Sequence, residues 1–133
     1  MLKITKTHTI LYVEDQELST TFYEKILGRK ADLNVPGMSE FQISHDFTIG
    51  LMPNKGMAKI LNDETPNPSE GTGIPRCELY FYVEDLALNY QYIKSLHVKI
   101  ISPLELRDWG DCCFYFSDPD GHIIAFAEKN TKT

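Results

Sequence analysis

Tyr12-Val13-Glu14-Asp15 with Leu18 returns as Tyr82-Val83-Glu84-Asp85 with Leu88, an offset of 70 residues that makes this chain two copies of one supersecondary unit. In each copy an alternating apolar run precedes the acidic pair and an amphipathic stretch follows it, so strand, helix start and helix recur in one order. A chain of 133 residues suits one compact domain that buries a core without metal or disulfide staples. The reading is therefore a single domain over 1–133, with repeats at 1–53 and 74–133 and a linker or lid at about 54–73. Function is expected between the halves.

Residues 8–13 are rich in β-branched and aromatic types and end at Glu14-Asp15, where Asp15 can cap the following helix. Leu18, Phe22 and Ile26, flanked by Tyr23 and Leu27, predict its buried stripe, and Gly28 its end. Three short strands are expected next, at Lys30–Val35, Met38–Ser44 and Phe47–Met52, with turns at Pro36-Gly37 and His45-Asp46. From Pro53 to Pro75 prolines and glycines break any long element, although Met57–Leu61 suits a short helical turn. The second copy predicts a strand at Glu78–Val83 and a helix at Leu86–Leu96, with Leu88, Tyr92 and Leu96 on its stripe. Strands at Val98–Ile101, Cys112–Phe116 and His122–Ala127 complete it, with a turn at Asp118-Pro119-Asp120-Gly121. The architecture expected is α+β: two βαβββ modules forming a curved mixed sheet around a central cleft, with helices on the outer face.

Composition narrows the function. A formal charge of −6 disfavours a nucleic-acid surface, which needs clustered Lys and Arg, and permits a cationic ligand. No apolar run approaches the roughly 18 residues of a spanning helix, and the first residues lack a signal-peptide pattern, so no membrane partner and a cytoplasmic location are expected. Cys77, Cys112 and Cys113 lack metal-knuckle spacing and read as buried structural thiols.

Strand alternation puts His8, Ile10 and Tyr12 on one face and Thr9, Leu11 and Val13 on the face that meets the helix. By the repeat, Glu78, Tyr80 and Tyr82 point away from the helices too. His8 and Glu78 become equivalent positions across the expected cleft, as a proton-transfer pair, a ligand anchor or a structural ion pair. Tyr12, Tyr80 and Tyr82 supply rings and hydroxyls for an aromatic or amphipathic ligand, or ordinary packing.

The run His8 to Asp15, Phe22-Tyr23, Leu27-Gly28, Trp109-Gly110 and Asp118 to Gly121 together resemble the vicinal oxygen chelate superfamily of glyoxalases, bleomycin resistance proteins, extradiol dioxygenases and fosfomycin resistance enzymes. The resemblance implies a pocket bordered by Trp109. It also implies that the metal enzymes' ligands would fall at the first-strand positions His8 and Glu78 and the last-strand positions Gly50 and Ala125. Gly50 and Ala125 replace the usual carboxylates, leaving too few donors for a catalytic divalent site. His122 is odd-stepped from Ala125 and should face the other way. The function implied is metal-independent small-molecule binding of the bleomycin resistance type, in an aromatic cleft of a homodimer, with no cofactor. The alternative is a glyoxalase-type lyase or isomerase, or a dioxygenase, using a divalent metal or the His8–Glu78 pair.

Overall fold

The computed structural model describes residues 1–130. The chain divides into two compact units, Met1–Thr72 and Gly73–Thr133. The first contains β1 (Thr7–Val13), α1 (Gln16–Leu27), β2 (Leu33–Val35), β3 (Met38–Ser44), β4 (Phe47–Pro53), α2 (Asn54–Leu61) and a 3-10 turn at Pro68–Gly71. The second contains β5 (Glu78–Tyr82), α3 (Leu86–Ser95), β6 (Ile100–Leu106), β7 (Asp111–Ser117) and β8 (Ile123–Lys129). Each forms a four-stranded mixed sheet, ordered β1-β4-β3-β2 and β5-β8-β7-β6, whose first and last strands run parallel. The fold is α+β, a βαβββ module made twice.

In the first unit Leu11, Val13, Phe41, Ile49 and Leu51 are buried with Tyr23 and Ile26 of α1. In the second, Leu79, Phe114, Phe116, Ile124 and Phe126 are buried with Leu86 and Ile93 of α3. Phe114 centres that core, its ring 4.7 Å from Tyr90 and 5.7 Å from both Phe116 and Phe126. Removing such a ring costs about 3–5 kcal/mol, through lost transfer energy and the cavity left behind.

The helical stripes differ from expectation in the same way in both units. Leu18 and Leu88 are 55% and 70% exposed and Tyr92 is exposed, while α1 buries Ser19, Thr20, Tyr23 and Ile26 and α3 buries Leu86 and Ile93. In α1 the reason lies in polar pairing. The Thr20 hydroxyl reaches Gln16 O at 2.7 Å and Ser39 Oγ at 2.7 Å, so two small hydroxyl residues bring α1 close to β3 with their polarity satisfied. Gln16 locks the same corner: its Nε2 donates to Val35 O and Ser39 Oγ, and its Oε1 accepts from Gly37 N.

Helix entry also differs between the copies. Asp15 is extended and its side chain accepts from Leu18 N, the expected N-cap. Asp85 is left-handed (φ 53) with no side-chain cap, and Asn89 Nδ2 instead donates to Glu84 O and Asp85 O.

β6 starts two residues later than expected and runs on to Leu106, through Pro103. Register shifts on its pairing with β7 accommodate the proline, and Arg107 supplies donors there, to Ser102 Oγ at 3.0 Å and to Pro103 O and Cys113 O. Of the three thiols, all free, only Cys113 is buried. Cys77 is exposed and Cys112 half-buried, because Cys77 lies just before β5.

Candidate functional site

Each sheet has one face turned to its helix and one turned away. Register assigns the second face directly. In the first unit it carries His8 and Thr48, then Ile10, Gly50 and Glu40, then Tyr12 and Met52. In the second it carries Glu78 and Ile123, then Tyr80, Ala125 and Tyr115, then Tyr82, Ala127 and Cys113, and lastly Lys129 opposite Asp111.

The second unit brings three of the expected residues, Tyr80, Tyr82 and Trp109, into one hydrogen-bonded group. Both phenols donate to the same oxygen, Asp111 Oδ2, each at 2.7 Å. Trp109 Nε1 donates to the Tyr80 hydroxyl at 2.9 Å. The two phenol rings meet edge to face, 5.4 Å apart. Backbone geometry sets these directions. Arg107 N donates to Asp111 O and Gly110 N to Arg107 O, closing the β6–β7 turn with Gly110 at φ +94, and Trp109 stands at its tip.

Electrostatics follow the bonds. Donation from Tyr82 and then Tyr80 holds the Asp111 carboxyl below the usual carboxylate range, with the Lys129 charge adding to it. Burial, followed by the bond to Asp111, pushes the Tyr80 phenol up, against the opposing bond from Trp109. For Tyr82 the Asp111 bond is the larger cause. Tyr115 is pushed up to about 12 by burial, then by Cys113. At neutral pH the group is therefore an ionised carboxylate beneath protonated phenols. It orients aromatic surface; it is not a base at the phenols.

Asp111, Lys129 and Arg107 were not singled out from the sequence. Asp111 follows Trp109-Gly110 and alternates with Cys113 and Tyr115, which is the signal that could have found it. Repeat arithmetic misses it, because the offset has grown from 70 residues at β1/β5 to 75 at the register partners Gly50 and Ala125.

In the first unit His8 Nδ1 lies 3.8 Å from Glu40 Oε2, both side chains about one-third exposed. Tyr12 is on the same face. Glu78, exposed at the start of β5, contributes to raising the Tyr115 phenol. His122, just before β8, is bound at Nδ1 to the buried Asp118 carboxylate at 2.7 Å.

The family's metal does not fit these residues. A Cβ on Gly50 would lie 2.6 Å from Ile10 Cδ1 and 3.1 Å from Met38 Sδ, so apolar tips fill the place of the missing carboxylate. Ala125 is wholly buried between Tyr80 and Tyr115 in the register. Among the described residues no three His, Cys, Asp or Glu side chains gather as a metal site. No helix among them is long and apolar enough to cross a membrane.

Tandem βαβββ modules define the vicinal oxygen chelate class. The family model described as Glyoxalase-like domain matches residues 6–130, and the chain belongs to that family. A glyoxalase/bleomycin resistance protein/dioxygenase from Nocardioides is similar in fold, with 18% identity and a TM-score of 0.82 over 100% of this chain and 88% of that one. A glyoxalase/bleomycin resistance protein from Catenulispora acidiphila has 19% identity and a TM-score of 0.66, over 92% and 96%. A protein of unknown function from Agrobacterium tumefaciens reaches 28% identity and a TM-score of 0.75, covering 97% of each chain.

Proposed function

We propose that this chain is a small-molecule-binding protein of the glyoxalase/bleomycin resistance type, which holds an aromatic or amphipathic ligand without a metal. Tyr80, Tyr82 and Trp109 form the binding face of the second unit, and Tyr12 the corresponding ring of the first. The observation that carries this reading is the convergence of Tyr80 and Tyr82 on Asp111, with Trp109 braced on Tyr80. These bonds fix the ring orientations in advance, while Trp109 and Tyr82 stay 58% and 56% exposed. Pre-ordered, exposed aromatic surface binds with little further loss of side-chain entropy. The family likeness extends the proposal to a cytoplasmic homodimer, which sedimentation of the purified protein tests for assembly.

The test is a ligand screen by thermal shift in EDTA, read against the emission of the one tryptophan. Stabilising ligands should change Trp109 emission, and Tyr82→Leu should weaken them about tenfold, the range of a lost aromatic anchor. The reading fails if EDTA abolishes binding, or if every stabilising ligand leaves Trp109 unaffected. The second reading, a lyase or isomerase using His8 in proton transfer, draws on the Glu40 carboxylate beside that imidazole. It requires turnover that His8→Gln removes.

A further inference from the structure

Donors and acceptors are unevenly left over on the second unit's face. The Trp109 indole N–H is used on Tyr80, and both phenol hydrogens are used on Asp111. The Arg107 Nη groups are used on Ser102, Glu105, Pro103 and Cys113. What remains for a ligand is phenol lone pairs and ring faces, lying over the buried negative charge of Asp111, and these attract positive charge.

One cation of the chain already sits over a ring of this face. Lys129 is the direct register partner of Asp111, and its Nζ stands 5.0 Å above the centre of the Tyr82 ring. It sits at the last residue of β8, on an exposed and flexible stem. The other basic group of the face, Arg107, is committed: its guanidinium lies 5.2 Å over Tyr115 and is paired with Glu105 at 2.9 Å. The remaining titratable groups on this face are Glu78, Glu105 and Cys113.

We infer that Lys129 is a resident stand-in for the ligand's own head group. The ligand is an aromatic molecule carrying a permanent or protonated cation, which displaces the Lys129 ammonium from Tyr82 and stacks its ring against Trp109. This rests on the binding face proposed above and adds the chemical class of its occupant. Lys129 thereby sets affinity: it competes for the Tyr82 ring and excludes weakly cationic compounds.

Three probes share one ring and differ in the head group: naphthylmethyl-trimethylammonium, naphthylmethanol and naphthylmethanesulfonate. Binding is followed at the single indole N–H of Trp109 by NMR. Displacement is followed at the Lys129 ε-methylene, which the Tyr82 ring current shifts and which the Lys129→Met spectrum assigns. The cation should bind at least fivefold tighter than the other two and should abolish the Lys129 ring-current shift at saturation. Lys129→Met should tighten the cation about threefold in 0.5 M salt, where long-range repulsion is screened, while Lys129→Arg should bind it as the native protein does. If the alcohol or sulfonate binds as tightly while Trp109 responds, the binding face stands and the cation is wrong. A Lys129 shift that persists at saturation overturns the displacement. If no probe at millimolar concentration moves Trp109, the binding face itself fails and the inference falls with it.

Discussion

Gly121 offers a demanding test of the second unit's geometry. Its φ is +93, so any L side chain is strained there, and an added Cβ would lie 2.8 Å from Gly73 C, 2.9 Å from Gly73 Cα and 2.9 Å from Gly73 O. Those atoms are backbone, and Gly73 is tied to the same turn by its N–H to Asp120 O at 2.7 Å. Gly37 is the natural control. Its φ is +94, yet a Cβ added there would meet nothing within 4 Å. Backbone strain is common to both alanine variants, at about 1–2 kcal/mol. Overpacking against an atom that cannot rotate away adds about 1–3 kcal/mol at Gly121 alone. The entropy an alanine removes from the unfolded chain is the same in both and cancels. At about 2.1 cal/mol/K per residue, unfolding this chain carries roughly 0.28 kcal/mol/K at the midpoint. Gly121→Ala should therefore melt roughly 4–11 °C below Gly37→Ala, with both below the native protein. Thermal unfolding by circular dichroism measures both, and exchange of the Gly73 amide should accelerate only in Gly121→Ala. Melting points within about 2 °C of each other would refute the close approach of Gly73 to the turn.

Acid should find Asp111. Its folded pKa is depressed, so its stabilisation is present above the unfolded value and lost as pH falls through the folded one. Urea unfolding from pH 5 to 2 should show a shallower loss in Tyr82→Phe, which removes the largest cause of the shift, and an identical acid limb would count against the bond. Alkali acts on Tyr80, Tyr82 and Tyr115, whose raised values stabilise the fold below the ordinary phenol range and lose that contribution as pH rises through the folded ones. Absorbance at 295 nm should keep rising above pH 11 and lose that late amplitude in the triple Phe variant. Gln16→Ala removes three hydrogen bonds around the β2–β3 turn and should cost about 1–2 kcal/mol, with faster exchange at Gly37; an unchanged denaturation midpoint would show the clamp to be idle.

The fold was legible because the repeat, the strand alternation and the Gly37 and Gly121 turns agree with one another. The buried side of α1 was not. A hydrophobicity pattern rewards Leu18 over Ser19 and Thr20, and cannot register that Ser39 Oγ meets the Thr20 hydroxyl across the interface while that hydroxyl donates to the Gln16 carbonyl within the helix. Alternation placed Tyr80 and Tyr82 side by side on one strand face. That both bond to Asp111 depends on the spacing of the β6–β7 turn, where the two copies fall out of step, and sequence alone does not carry it.

The two halves have spent their equivalent positions differently. At the centre of the first sheet the side-chain tips of Ile10 and Met38 close over Gly50, so a larger residue there must turn those tips aside. At the matching point of the second sheet Ala125 separates two tyrosines, and the buried Asp111 at the start of β7 is the shared acceptor of Tyr80 and Tyr82, so replacing it leaves both phenols without that partner. On the binding face proposed for the second unit, laboratory selection has room to vary the exposed Tyr82, Trp109 and Lys129, whereas Gly50 of the first unit is boxed in by Ile10 and Met38.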